Sequence, residues 1–488
     1  MAIDLLNIGK SGLSTAKQSM STTSHNIANA NTEGFSRQEV RTETGITLPQ
    51  GDYVLGTGVE IQSIKRSHDE LVEKKLNNSI TKHKFNEERS LQLGHVEEIF
   101  NEINSEGMNK IMNRFFNSFR ELSNQPENEI VRNVVKENAK IVTADFHRIQ
   151  GNLDDVRGSI NKKLAISVDE INNATKTIAK LNKEISVEEV AGGMSNDLRD
   201  QRDRVIRTLT EYFPISTYSD NKGQFVVNVE GVGSIVSGGM CQELSIGTTL
   251  NGYQNSTDKG NVQIFFANRP SIPISDQIMG GTLGAQLKTR NEDLVGLEKH
   301  LDELAHGLVL STNAIHRRGF ANHPVPVDSQ GNPVPNAAKQ KVTGINFFKE
   351  PLDLKRAAEY ISISDDIEAD INNIATALEA NKPGDNRVSI AISKLQHEKV
   401  LAGGTTTFEE QYLKSVGSVG LQAGKSKIDE EQSHGILAQA KSFKERMAGV
   451  SLDEEAANMV RYQNAYEASA KVIRASDEMF KAVLGLMG

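Results

Sequence analysis

The sequence predicts a mainly α fold with a small β insert, elongated and divided into several domains. Three observations predict it. Apolar residues recur every seven positions at both ends of the 488-residue chain, helical periods fill most of what lies between, and one central stretch alternates with period two. With 37% apolar residues, 5% aromatics and no tryptophan, the composition suits helices packed on aliphatic side chains better than a thick globular core. A chain of this length supports two or three domains, each with a core of its own.

The first helix is predicted over residues 4–31, ending at Thr32-Glu33-Gly34, where glycine takes the left-handed conformation common after a helix. Short strands and turns punctuated by Gly45, Pro49, Gly51, Gly56 and Gly58 follow to Ile64. Ser67-His68-Asp69-Glu70 has the S-x-x-E form of a capping box and opens a helix carried by Leu71, Leu76, Ile80, Val96, Ile99 and Ile103. Met108, Ile111, Met112, Phe115, Phe116, Phe119 and Leu122 then share one broad helical face, stopped by Pro126. The longest helix is expected over residues 130–185, a rod of roughly 80 Å at 1.5 Å per residue. After Gly192-Gly193, Ser195 or Asn196 caps a shorter helix to Tyr212.

Residues 224–229, 235–236, 244–246 and 262–266 read as short antiparallel strands, with a hairpin turn at 231–233. Helix returns over residues 283–318 and is followed by a loop, 319–336, containing four prolines. Residues 360–364 read as a further strand, and residues 385–400 and 409–447 as helices. A hinge at Ala448-Gly449-Val450 precedes a second S-x-x-E box, Ser451-Leu452-Asp453-Glu454, and the terminal helix. The expected domains are 1–45 plus 448–488 (terminal helices paired as a coiled coil for assembly), 46–212 plus 275–447 (a long-helix bundle), and 213–274 (β-rich).

Composition also bounds function. The net charge of −9 gives no general attraction to nucleic acid or anionic lipid. Cys241 is the one cysteine, so no internal disulfide and no thiolate cluster can form. No apolar run reaches the roughly 20 residues of a membrane span, and the N-terminus lacks the basic start and cleavage site of a secretory signal. The default is a cytoplasmic protein, a default that fails for a chain exported without a cleaved signal.

No motif points to catalysis, a metal or a cofactor. Gly231-Val232-Gly233 lacks the third glycine and the following helix of a dinucleotide fingerprint, and reads as a hairpin turn. Gly280-Gly281-Thr282-Leu283-Gly284 opens a helix whose bare amides suit an anion, yet it lacks the Lys-Ser/Thr of a P-loop. His300 and His306 lie six apart and do not share a helical face as an i, i+4 metal pair would. The adjacent carboxylates Asp154-Asp155 and Glu188-Glu189 are the pattern of a solvated helix face.

The terminal helices carry the candidate interaction residues. Leu6, Leu13, Met20 and Ile27 fall seven apart, each followed three residues later by a small residue: Gly9, Ala16, Thr23 and Ala30. Leu452, Met459, Tyr466, Ile473, Phe480 and Met487 repeat the period at the other end. A two-helix hairpin alone is marginally stable, so contacts between molecules are expected to complete these seams.

The words of the sequence carry a resemblance. Residues 24–38, Ser-His-Asn-Ile-Ala-Asn-Ala-Asn-Thr-Glu-Gly-Phe-Ser-Arg-Gln, resemble the N-terminal signature of bacterial flagellar rod, hook and hook-associated proteins, through Asn26, Asn29, Asn31, Thr32, Gly34, Arg37 and Gln38. The heptapeptide Asp197-Leu198-Arg199-Asp200-Gln201-Arg202-Asp203, the segment from Gly280 to Arg290 and the ending at Val450–Asn458 and Tyr462–Tyr466 resemble the hook-associated protein 1 family, which sits at the hook–filament junction. The resemblance implies an axial structural subunit, extracellular in the flagellum, exported through the flagellar type III apparatus with an export chaperone on the C-terminal helix. Its implied partners are further copies of itself, the hook protein and the next junction protein. Larger relatives insert an outer domain after Asn346-Phe347-Phe348, whereas here Tyr360-Ile361-Ser362-Ile363-Ser364 follows almost at once, so that domain is expected to be absent or reduced. A rod or hook subunit, a flagellum-associated cell-wall hydrolase and a cytoplasmic coiled-coil adaptor are the competing readings.

Overall fold

A computed structural model describes residues 2–50, 53–100, 107–190, 192–221, 223–247 and 261–487. Helix α1 (Ala2–Ala28) ends in a turn at which Gly34 has φ +81°. A β ribbon follows: β1 (Gln38–Thr44) pairs antiparallel with β4 (Val59–Arg66), and β2 (Leu48–Gln50) with β3 (Tyr53–Leu55) at its far end. Helices α2 (Glu70–Phe100), α3 (Met108–Asn124), α4 (Glu129–Val190) and α5 (Asn196–Thr210) come next. The 62 residues of α4 make it roughly 93 Å long.

Strands β5 (Ile215–Ser219), β6 (Phe225–Val229), β7 (Gly233–Ser237) and β8 (Met240–Cys241) form one antiparallel meander. The strands β9 (Leu244–Gly247), β10 (Gln263–Phe266) and β11 (Arg269–Pro273) form a second sheet, with β10 in the middle. Beyond them lie α6 (Gly281–Lys288), a π-helical segment at Thr289–Asp293, α7 (Leu294–His316), α8 (Ala357–Tyr360), α9 (Asp365–Ala369), α10 (Arg387–Lys394), α11 (Phe408–Ala448) and α12 (Leu452–Met487).

The chain condenses into two compact units. The first comprises residues 1–86, 165–284 and 430–488; the second comprises 87–164 and 285–429. In the first unit, α2 packs on α11 through Leu76, Ile80, Leu437 and Ala440. Asn172 of α4 clamps β9 at one residue: its amide donates to the Leu244 carbonyl at 2.8 Å, and its oxygen accepts from the Leu244 N–H at 2.8 Å. The second unit is built around α3, whose Phe115, Phe116 and Phe119 are fully buried. Phe347 and Phe348 meet Phe115 with ring centroids 5.8 and 5.7 Å away, and Phe408 meets Phe116 at 5.7 Å. Arg132 is buried beside this core and donates to the carbonyls of Pro126 and Ile374; burial holds its pKa down at about 10.

Several local expectations are corrected. Ser67 is no cap: its hydroxyl donates to the Met447 carbonyl, and Asp69 Oδ1 instead accepts from the Leu71 and Val72 amides. Ser451 does accept from the Glu454 amide at 3.4 Å, but the Glu454 carboxylate turns to Arg37 rather than back to the cap. Ser195 stands at the cap of α5, yet its hydroxyl donates to Glu188 Oε2. Residues 360–364 contribute only a Phe348–Ile363 bridge, and the helix expected over 385–400 shrinks to α10. Ile103 lies outside the described residues, as does the side chain of Met487.

Candidate assembly interface

The terminal helices α1 and α12 pack together, antiparallel. A Cβ added to Gly9 would lie 2.8 Å from Ile473 Cγ1, and one on Gly12 2.8 Å from Ser469 Oγ, so glycine is what lets the backbones approach there. Gly9, Gly12, Ala16, Ser19, Thr23 and Asn26 are the inner positions of α1, spaced alternately by three and four. Glu455, Met459, Tyr462, Ser469, Ile473 and Ser476 keep the same phase on α12.

The large side chains of the predicted seams divide between the inside and the outside. Met459 and Ile473 are half-buried in the pair, and Leu13, Met20 and Ile27 are half-buried on α1. Leu6 is 42% exposed, Leu452 54% and Phe480 47%, and Tyr466 lies at the edge. Leu5, Val460 and Met479 are exposed on the pair as well, at 36%, 57% and 46%.

The signature residues build a joint where α1 turns into the β ribbon. The Asn26 side chain is buried and clamps Gln38: its Nδ2 donates to the Gln38 carbonyl at 2.9 Å, and its Oδ1 accepts from the Gln38 amide at 3.0 Å. Gln38 Nε2 in turn donates to Asp197 Oδ1 at 2.7 Å, and Asp197 also meets His25 Nε2 at 3.3 Å. Asn29 donates to the His25 carbonyl and accepts from the Thr32 hydroxyl, closing the helix end. Asn31 and Thr32 are exposed. A Cβ at Gly34 would approach Arg207 Nη2 to 2.9 Å, and Arg37 joins Glu39 at 2.8 Å and Glu454 at 3.0 Å.

Beneath the joint, Asp200 accepts from the Ser36 amide and hydroxyl at 2.8 and 2.9 Å. Arg66 Nη1 bridges Asp200 at 2.7 Å and Asp203 at 2.6 Å. Burial alone would lower the Arg66 pKa, but the two carboxylates outweigh it and raise it, keeping the guanidinium charged. Burial, with Arg66 alongside, holds His68 below its ordinary value. Arg202 donates to Asn182 Oδ1 and lies over the Phe225 ring at 3.6 Å. Thus the two sequence words, residues 24–38 and 197–203, meet in space. Their contact was not legible in either, because hydrogen-bond complementarity 160 residues apart leaves no periodic trace; Arg66, which bridges Asp200 and Asp203 beneath them, carried no signal at all.

The Gly280 segment does not present its amides to a ligand. The Thr282 and Leu283 amides donate to the Glu211 and Tyr212 carbonyls, and a Cβ on Gly281 would sit 2.4 Å from the Tyr212 backbone. Its glycines serve close packing. Among the described residues no cluster of His, Cys, Asp and Glu forms a metal site, and no helix is long and apolar enough to cross a membrane.

Comparison with known proteins places this geometry. Residues 6–35 match the family model for flagella basal body rod protein, and residues 446–486 match the C-terminal model of the flagellar basal body rod FlgEFG proteins. These ends define the class, the flagellar axial proteins. Residues 93–331 match the helical domain of flagellar hook-associated protein FlgK. The chain is 28% identical to flagellar hook-associated protein 1 of Bacillus subtilis (strain 168) over 99% of this chain and 98% of that one. It is 23% identical to its counterpart in Escherichia coli (strain K12) over 99% of both. Along its whole length the chain is similar to flagellar hook-associated protein 1, and in residues 93–331 to the helical domain of that family. In fold it is similar to the flagellar hook junction protein FlgK from Burkholderia pseudomallei, with a TM-score of 0.62 and 15% identity over 78% of this chain and 100% of that one. The Escherichia coli alignment runs over 551 positions against the 488 residues here, so that relative carries segments this chain lacks.

Proposed function

We propose that this chain is a structural subunit of the bacterial flagellum that joins the hook to the filament, and that it works by packing rather than by chemistry. One observation carries the reading: the α1/α12 pair turns its small residues inward and leaves Leu6, Leu452 and Phe480 in solvent. Such a pair is incomplete as a monomer. Residues 1–45 with 448–488 act as the assembly domain, and Leu6, Leu13, Met20, Ile27, Leu452, Met459, Tyr466, Ile473 and Phe480 are its packing residues. Residues 46–212 with 275–447 form the long-helix domain, and 213–274 the β-rich one. The signature residues fix how the assembly helices leave the ribbon.

The partners on this reading are further copies of the chain, the hook protein and the next junction protein. Export proceeds through the flagellar type III apparatus without a cleaved signal, with a chaperone on the C-terminal helix, and the product is extracellular. A rod subunit shares the terminal matches, but the helical-domain match over residues 93–331 favours the junction protein. Deleting the gene tests this directly. Cells are expected to make hooks, shed filament subunits into the medium and not swim, and antibody to the chain is expected to label sheared flagella at the hook end. Filaments of normal number without the chain would overturn the reading.

A further inference from the structure

In the first unit, α2 and α11 leave a groove of about 370 Å³ lined by Leu71, Lys74, Lys75, Lys82, Ser433 and Ile436, among others. Its floor is apolar: Leu71 is 78% and Ile436 40% exposed. Its rim is cationic. The neighbouring Lys84 pairs with Glu211, and Lys444 with Glu73 at 2.7 Å, whereas Lys74, Lys75 and Lys82 have no carboxylate partner among the described residues.

Lys74, Lys75 and Lys82, without a carboxylate partner among the described residues and with Lys75 lying 6.0 Å from the Phe443 ring centroid, are out of keeping with a chain of net charge −9. The same unit carries a complementary feature at the end of α4, where Val187 and Val190 are 72% and 87% exposed on adjacent turns and Met194 follows them. Glu184 and Glu188 flank these side chains, Glu184 with Lys180 at 3.8 Å and Glu188 accepting from the Ser195 hydroxyl. We propose that the groove between α2 and α11 receives the acidic, apolar end of α4 from a second copy of this chain, with Val187 and Val190 on Leu71 and Ile436 and the glutamates against Lys74, Lys75 and Lys82. The proposal rests on the reading of the chain as a multi-copy flagellar subunit.

Groove and knob are different surfaces of one unit, so a contact made in one direction only is heterologous and propagates from copy to copy into a ring or helical layer. A single such contact is small and electrostatically steered, so it holds within an assembly and not between free monomers.

The test is photo-crosslinking in assembled flagella, with Leu71 replaced by p-benzoylphenylalanine in the full chain. Sheared flagella are first blotted for the chain; its absence from them overturns the subunit reading and the proposal together. When the chain is present, the expected result is a homodimer adduct whose crosslinked peptide contains residues 184–194. An adduct with the hook protein, with any other protein or with a different segment, or no adduct, overturns the groove assignment alone. Lys74→Glu, Lys75→Glu and Lys82→Glu combined are expected to lower the adduct about tenfold, and adding Glu184→Lys with Glu188→Lys to restore it. An adduct indifferent to the charge reversal also overturns it. These side chains are exposed, and an unchanged far-UV circular dichroism spectrum reports that the fold is retained.

Discussion

The aromatic core around α3 and the terminal pair of α1 and α12 are both helical packings read from apolar periodicity, yet they are opposite in outcome. Around α3 the large residues go inside: Phe115, Phe116 and Phe119 meet Phe347, Phe348 and Phe408 with no access to solvent. In the terminal pair the small residues go inside, and several of the large ones stay out. The difference teaches that a period identifies a face without saying what covers it. A face finished within the chain and one finished by another molecule look alike in sequence.

Truncation separates the two regions. Phe119→Ala is expected to destabilise the second unit by about 3–5 kcal/mol, through lost transfer energy and a cavity the packed rings cannot refill, whereas Phe480→Ala shifts the monomer by less than about 0.5 kcal/mol. Denaturant midpoints of the two variants check the contrast. Equal losses would mean that the terminal pair is as closed as the α3 core.

Acid sharpens the contrast next. His316 is completely buried, its Nδ1 donating to the Ile345 carbonyl at 2.8 Å and its Nε2 accepting from the Ala375 amide at 2.9 Å. Burial, first, and then Arg132 nearby hold its pKa down at about 4. Between the ordinary value of 6.5 and this one the unfolded chain binds the proton and the folded chain does not. Stability from this group is therefore complete above pH 6.5 and lost as pH falls toward 4, by about 3 kcal/mol. Comparing unfolding at pH 7.5 and 4.5 for the wild type and His316→Gln isolates the contribution, since the variant lacks this part of the slope.

The joint gives a smaller effect. Asn26→Ala strands the buried amide and carbonyl of Gln38, a loss of about 1–3 kcal/mol. It is expected to speed amide exchange in α1 while leaving the α3 core protected; uniform exchange across the chain would show that the joint does not hold α1 separately.

Much of this was legible in the sequence. The helices, the ribbon after Gly34, the hairpin at 231–233 and the α3 face follow from period and turn chemistry. Tertiary competition hid the rest. Ser67 fits a capping box until the Met447 carbonyl takes its hydroxyl, and Ser195 fits a helix cap until Glu188 takes its hydroxyl. The π segment at Thr289–Asp293 adds a residue to one turn within an unbroken apolar pattern, which no period reveals. The strands β5 and β11 are short and adjoin or contain prolines, and were missed for that reason. In the candidate site the seam positions were visible, but which seam residues turn inward was not, because Gly9 and Gly12 decide it through a partner 460 residues away.

The apolar side chains that the terminal pair leaves exposed, Leu6 and Phe480 among them, are covered only by neighbouring molecules on the proposed reading. Leu6→Asp combined with Phe480→Asp tests it most directly, with two readings on one variant: thermal unfolding of the purified chain and the number of filaments on cells that carry it. The expected outcome is a melting temperature within about 2 °C of wild type and cells without filaments. Normal filament numbers with both charges in place would contradict it.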